Sequence, residues 1–288
     1  MKKTVYLLCI LITLSGIAVS CGGGDKNPNL IAEGPYETLI PATKTSPPYV
    51  LIDNPTVNLQ DFPKDEEGYY LIFDGSSFKG WRGYNQETVP VRWTIEEDAM
   101  KYTGTGTGEA HEEGGGDLLF AYKFKNFELT FEWKVSRGAN SGVFFYAQEI
   151  KGEEIYLSSP EYQILDNANH VDAKAGIDGN RQSASLYDMI PAKPQNALPY
   201  GEWNTGAIIV SKGTVFHQQN GVTVVEYHLW TPKWNELIAS GKFKAKGDFP
   251  LAFDLFTNVG GPNREGYIAF QDHGDDVWYR NIRVKILD

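Results

Sequence analysis

Strand alternation would bring two carboxylates and an amide of this chain onto one surface, with histidines at strand and loop ends. In "PEYQILDNANH", residues 160–170, a strand over Pro160–Asp166 places Glu161, Gln163 and Leu165 on one face and Tyr162, Ile164 and Asp166 on the other. Burying Tyr162 and Ile164 turns Glu161 and Gln163 outward. In "NFELTFEWKV", Phe127, Leu129, Phe131, Trp133 and Val135 alternate with Glu128, Thr130, Glu132 and Lys134, so Glu132 also turns outward. If the two strands are neighbours, one sheet face presents polar groups that could meet sugar hydroxyls, with aromatic rings to stack on the sugar. A solvated sheet face has the same alternation, so both readings stand.

His273 lies in "QDHGDD" after the run "GYIAFQ", where Asp272 and Gly274 signal a turn. A histidine there serves as acid or base near neutrality when a carboxylate orients it, or merely caps a strand end. His217 precedes the Asn220-Gly221 turn and His170 closes the 160–170 stretch. Metal-ligand cysteine pairs, a His-Glu-x-x-His helix, a phosphate-cradling loop and a nucleophile elbow are all missing from the sequence. "DNANHVDAKAGIDGN" is rich in oxygen donors, but Ala168 occupies the third ligand place of an EF-hand loop, and no spacing demands a metal. No cofactor is therefore expected; a divalent cation such as calcium stays open as an auxiliary.

The elements that must position these groups are short runs of β-branched and aromatic residues between Gly, Asn and Asp. They include "SGVFFYAQ", "NTGAIIVS", "GTVFHQQ", "GVTVVEYHL", "LAFDLFT", "EGYIAFQD" and "VWYRNIRVKIL". Asn220-Gly221 between two such runs predicts a tight hairpin. Only "TPKWNELIASGKF" carries a helical period, with Gly241 as its stop. About 220 residues from Gly68 onward suit one all-β domain, two antiparallel sheets packed face to face with one short helix.

The amino terminus is of another kind. Lys2 and Lys3 precede an apolar run from Val5 to Leu14 that is too short to span a bilayer, and small residues lead to Cys21. This is the layout of an export signal over residues 1–20, and "AVSC" is similar to a lipobox, which makes Cys21 the acylated first residue. Gly22 after the cysteine is similar to outer-membrane sorting, so an exported, lipid-anchored protein of the outer membrane is expected. Residues 21–66, rich in Gly, Pro, Asn and Thr, read as a tether and an extension. Beyond Cys21 there is no cysteine, so stability must come from burial rather than disulfides. Losing Lys2 and Lys3 takes the net charge from −11 to −13, which argues against nucleic acid or anionic lipid as ligand.

The ordered set "LIFDGSSFKGW", "FKNFELTFEWKVSRGANSGVFFY", "PEYQILDNANH", "LYDMIPA", "GEWNTGAIIV", "HQQNGVTVVEYHLW" and "GYIAFQDHGDDVWYRNIRVKIL" resembles the 3-keto-disaccharide hydrolase domain family over residues 68–288. The resemblance implies a concanavalin-like jelly roll, here residues 67–288, and cleavage of glycosides whose glucose ring is oxidised at carbon 3. Its motifs fall on Glu132, Asn140, Ser141, Glu161, Gln163, Asp166, Tyr187, Asn204, Asn220, Gln271, Asp272, His273 and Arg280. A ketone at carbon 3 acidifies the hydrogen on carbon 2, so a base there could expel the oxygen at carbon 1, and water could add back.

On that chemistry Glu161 is the expected base or acid and His273 its partner, oriented by Asp272. Substrate contacts are then expected from Glu132, Asn140, Gln163, Asp166, Tyr187, His217, Gln271 and Arg280, with a structural role equally open for Arg280. Tyr146 stands where many family members have arginine, a change expected at a substrate contact. Three alternatives remain: a sugar-binding module without catalysis, a structural lipoprotein subunit, and a two-carboxylate glycosidase using Glu132 with Glu161. The anchor has its own test: Cys21→Ala should move the protein from the detergent phase to the aqueous phase, and unchanged partitioning would rule the anchor out.

Overall fold

The computed structural model describes residues 39–42, 49–105 and 113–288; the signal segment and Cys21 lie outside the described residues. In chain order the elements are β1 (Tyr70–Leu71), β2 (Trp81–Gly83), β3 (Trp93–Glu96), β4 (Ala99–Tyr102), β5 (Leu118–Phe124), β6 (Phe127–Val135), β7 (Asn140–Ala147), β8 (Glu161–Leu165), β9 (Asn204–Ser211), β10 (Thr214–Gln219), β11 (Val222–His228), α1 (Pro232–Ser240), α2 (Pro250–Thr257), β12 (Gly266–Phe270) and β13 (Val277–Ile286). Every strand pairing is antiparallel. The larger, eight-stranded sheet runs β11-β10-β9-β6-β13-β4-β3 with β1 on β13, and the five-stranded sheet runs β2-β5-β12-β7-β8.

The two sheets close on an aromatic core. Phe131 of β6 meets Tyr162 of β8 edge-on at 5.4 Å, and Phe270 of β12 lies 4.2 Å from Tyr279 of β13. The alternation of β6 is realised as expected, with Phe127 through Trp133 buried and Glu128 through Lys134 half-buried on the outside. Asn220 and Gly221 both take positive φ, 49° and 76°, the backbone of a hairpin turn whose twist matches the strands. Glu97 and Asp98, at 49° and 60°, make the corresponding turn between β3 and β4 without a glycine.

One element assignment differs from expectation. "LAFDLFT" is the helix α2 rather than a strand, so the domain carries two short helices rather than one. Pro250 opens it and Ala252, Leu255 and Phe256 form its buried stripe at helical spacing, a pattern that a short apolar run hides among strand formers. The helix packs with α1, whose Trp234 indole donates to the Phe256 carbonyl at 2.7 Å.

The outer face of the five-stranded sheet is divided. One half is sealed by residues 51–57, whose backbone bonds to Glu149 and Ala121, over Leu119, Ala121, Phe144 and Tyr267. Within this seal Arg82 and Glu149 form a buried, two-bond ion pair, 2.7 and 2.6 Å. The other half is open.

His217 belongs to the core and not to a ligand site. Strand β10 points it between the sheets, fully buried, with Nδ1 on the Ala184 carbonyl at 2.9 Å and Nε2 near the Tyr227 hydroxyl at 3.3 Å. Burial holds its pKa down at about 4. The unfolded chain therefore binds the extra proton between roughly pH 6.5 and 4, and stability falls as pH drops through that window. His217→Leu should destabilise the fold by about 1–3 kcal/mol at pH 7 by stranding the Ala184 carbonyl, and should flatten the loss of stability between pH 6.5 and 4, as read by urea unfolding at each pH.

Candidate active site

The open half of the five-stranded sheet is a cavity of about 380 Å³. Its floor is three strand positions side by side. Glu161 and Gln163 project from β8, and Asn140 and Gly142 from β7, in a register that pairs Gly142 with Gln163. Gln271 extends β12 by one residue, its N–H donating to the Gly142 carbonyl at 2.9 Å. Gly142 decides the geometry: a Cβ there would stand 2.3 Å from Glu161 Oε1 and 2.8 Å from its Cδ. The carboxyl of Glu161 occupies the space that any other residue at 142 would fill.

Glu161 is 8% exposed. Burial raises its pKa to about 8; the nearby charge of Lys242 opposes the shift, and Asp117 and Asp172 add to it. Around the carboxyl are polar atoms with no hydrogen-bond partner: Asn140 Oδ1, Gln163 Nε2, Gln271 Oε1 and His273 Nδ1. Buried polar atoms are ordinarily paired, and these four belong to residues that line one cavity, a polar lining suited to a hydroxyl-rich ligand.

The turn after β12 is held by Asp272. One of its oxygens accepts the Gly116 N–H at 2.7 Å and the other the Gly274 N–H at 3.0 Å, while its own N–H donates to Asp117 at 2.9 Å. Asp272 thus fixes the backbone on both sides of His273. The His273 ring faces that of His170 edge-on at 6.4 Å, and burial, followed by the neighbouring His273, lowers the His170 pKa. Tyr187 stands at the wall with its hydroxyl donating to Asp172 at 2.9 Å; burial raises its pKa, and Glu161 and Asp172 raise it further.

Of the expected contacts, Glu161, Gln163, Asn140, Tyr187, Gln271, Asp272 and His273 come together in this one cavity. Glu132 and Arg280 do not. They lie on the outer face of the opposite sheet, where Arg280 Nε donates to Glu132 at 2.8 Å, Asn281 donates to it at 2.7 Å, and Arg280 stacks 3.9 Å over Trp203. The aromatic core separates Glu132 from Glu161, so the two cannot share a glycosidic bond. Asp166 is spent on its own turn, accepting from Gly138, Ala168 and Asn169, and shapes the loop that carries His170. Tyr146 is fully buried with its hydroxyl donating to the Lys125 carbonyl, so the departure from arginine changes the core and not a ligand contact.

Asp117, Glu154, Tyr156, Lys242 and Phe243 also line the cavity and have no signal in local sequence. They arrive from loops whose placement depends on tertiary packing; for Lys242 the available hint is a cation directly after the helix stop at Gly241. Among the described residues no group of three or more His, Cys, Asp or Glu is placed to hold a metal ion.

A β-sandwich with a buried glutamate in a polar, concave site on a sheet face belongs to the class of carbohydrate-handling sandwiches. The chain is a member of the 3-keto-alpha-glucoside-1,2-lyase-like domain family, which matches residues 68–285. It is 52% identical, over the full length of both chains, to a protein of Bacteroides thetaiotaomicron named 3-keto-disaccharide hydrolase. A provisionally named glycosyl hydrolase from Parabacteroides distasonis is similar in structure, with a TM-score of 0.64 and 26% identity, covering 82% of this chain and 100% of that one. A second protein of that organism, at TM-score 0.51 and 23% identity over 72% of this chain and 99% of its own, shares the fold.

Gly142→Ala tests the dependence of the site on this one contact. The atoms it meets are the mobile end of Glu161, so the carboxyl should swing away while the sheet persists. Activity should fall about 10²-fold or more from misplacement of the reacting group, with the far-UV circular dichroism and melting cooperativity kept.

Proposed function

We propose that this protein cleaves the glycosidic bond of 3-keto-glucosides by elimination and re-addition of water. The observation that carries the reading is the setting of Glu161: a buried carboxyl with pKa about 8, on a strand, lining a cavity with Asn140, Gln163, Gln271 and His273, and with its expected partner Glu132 on the far sheet. The family's lyase-like description and the name of the Bacteroides relative support the same substrate class.

Glu161 as carboxylate takes the proton from carbon 2, made acidic by the ketone at carbon 3. The electron pair forms the carbon 1–carbon 2 double bond, the carbon 1–oxygen bond breaks, and His273 protonates the departing oxygen. The product is an enone in which carbon 1 is electrophilic. Water adds there and gives its proton to His273; Glu161, its own proton exchanged with solvent, protonates carbon 2, and the sum of the two steps is hydrolysis. Asn140, Gln163 and Gln271 hold ring hydroxyls, with Tyr187 at the wall. We further place the enzyme outside the cytoplasm, tethered to the outer membrane through Cys21.

A sugar-binding module would use the same pocket without turnover. A structural subunit would present a broad apolar patch; the exposed large apolar residues described here are dispersed over loops and strand ends.

The pH profile separates the roles of Glu161. A base must be ionised, so the rising limb of kcat/KM should lie near pH 8, whereas an acid would put its falling limb there. Glu161→Gln should lower kcat about 10²–10⁴-fold on an oxidised disaccharide and keep ligand binding; retained turnover would sink the assignment. Because the folded state holds the Glu161 proton more tightly than the unfolded chain, wild-type stability declines as pH rises from ordinary carboxyl values to about 8. The glutamine variant should therefore melt higher than wild type at pH 8.5, with the gap closing toward pH 4.5.

A further inference from the structure

We propose that Lys242 is the electrophile of this site, its ammonium stabilising the oxygen on which negative charge develops at carbon 3, and that the substrate is accordingly an uncharged 3-keto-glycoside. The inference rests on the elimination reading above.

Lys242 leaves the end of α1 just after Gly241. Its backbone N–H donates to Asp188 at 3.2 Å, and Asp188 is held in turn by Arg181 at 2.6 Å, so the stem starts from a fixed point. The ammonium then sits among four rings, 5.6 Å from Tyr156, 5.2 Å from Tyr187, 5.7 Å from Phe243 and 5.2 Å from Phe249. Aromatic faces attract a cation without neutralising it. None of the ion pairs among the described residues includes Lys242, although Glu161 lies within range of its charge.

The remaining charges in the cavity decide what that cation serves. Lys242 is the one Lys or Arg in the lining, and Asp117, Glu154, Glu161 and Asp272 are the acids. A substrate with a permanent carboxylate or phosphate would meet four acidic groups against one base. A neutral substrate avoids this repulsion and draws on the lysine only when charge develops. Removal of the carbon 2 proton by Glu161 sends the electron pair toward the carbon 3 oxygen; that oxygen turns anionic beside the ammonium, and its collapse expels the carbon 1 oxygen. Addition of water at carbon 1 regenerates the same oxyanion before carbon 2 is reprotonated, so one cation serves both steps. Such a contact is absent in the ground state and acts on kcat rather than KM.

The test uses the purified full-length protein, a neutral 3-keto-disaccharide and D2O as solvent, with wild type, Lys242→Met, Lys242→Arg and Lys242→Gln compared. Lys242→Met should lose about 10²–10³-fold in kcat with KM changed less than about threefold, and Lys242→Arg should recover at least about tenfold of that loss. The rising limb of the kcat/KM profile should move to higher pH in Lys242→Met, because the lysine no longer offsets burial and the Asp117 and Asp172 charges at Glu161; that shift reports the charge alone, and the loss in kcat at nearly unchanged KM, recovered in Lys242→Arg, is what a lysine that only braces the wall would not give. The inference is overturned if Lys242→Met keeps kcat, if the loss is in KM alone, or, where that variant does not fold, if Lys242→Gln matches Lys242→Arg. Wild-type product lacking deuterium at carbon 2, at early times and against an enzyme-free control, would instead overturn the elimination reading itself. Deuterium in the wild-type product together with an unaffected Lys242→Met overturns the lysine alone.

Discussion

A carboxyl held out of water on the outer face of a strand is the constraint around which this domain is arranged. Glu161 can be buried there because Gly142, on the adjacent strand, supplies no side chain and leaves room for its oxygens. The ionised form is strongly disfavoured: a pKa of about 8 against an ordinary 4.5 corresponds to on the order of 5 kcal/mol between the two protonation states. Such a penalty is tolerable only in a scaffold that does not depend on this surface for its stability. The aromatic core between the sheets, with Phe131 on Tyr162 and Phe270 on Tyr279, provides that independence.

The division of the five-stranded sheet follows from the same constraint. Its sealed half is covered by residues 51–57, and within it Arg82 and Glu149 meet through two hydrogen bonds, which offset the burial of their charges. The open half uses the opposite arrangement. Its loops satisfy their own polar groups, as Asp166 and Asp272 do with backbone N–H groups, while the floor residues leave atoms uncommitted. A chain of bonds from Tyr187 to Asp172, Arg181, Asp188 and the Lys242 backbone ties the wall together across three loops. Rigidity at the wall and open valence at the floor are what a preorganised site requires.

Much of this was legible in the residues, and what was not has physical causes. Alternation exposed β6, and it put Glu161 and Gln163 on the outer side of β8, because a period of two is a local property. It could not say which sheet either strand joins. Glu132 shares the outward phase of Glu161 yet belongs to the other sheet, and the sequence carries no mark of that partition until the pairing of β6 with β9 and β13 is known. His217 misled for a related reason: near a turn a polar residue reads as surface, but here a carbonyl and a tyrosine hydroxyl satisfy it inside the core. The family resemblance named positions without separating structural from ligand-facing ones, as Arg280, Asn204 and Ser141 illustrate. Asn204 and Ser141 bond to Leu198 N–H and the Gln271 carbonyl, respectively, and hold the frame. Lys242 was invisible because its importance lies in four rings brought together by folding.

The asymmetry of the pocket bears on the reaction more than any one residue does. Direct displacement at carbon 1 needs two carboxyl groups on opposite sides of the ring, spaced to hold either the sugar alone or the sugar and a water. Elimination followed by addition needs less, because the second step retraces the bond changes of the first at carbons 1 and 2. Under that route one carboxyl takes a proton from carbon 2 and delivers one back from the same face after exchange with solvent, and one cation meets the same oxyanion twice. Glu161, its ionisation opposed by desolvation and by Asp117 and Asp172 and aided by one lysine, suits this route. Glu132, on the far sheet, can neither raise the Glu161 pKa nor repel the oxyanion, so its placement removes the Glu132–Glu161 pairing expected for direct displacement, while Asp117, Glu154 and Asp272 remain the other acids of the cavity.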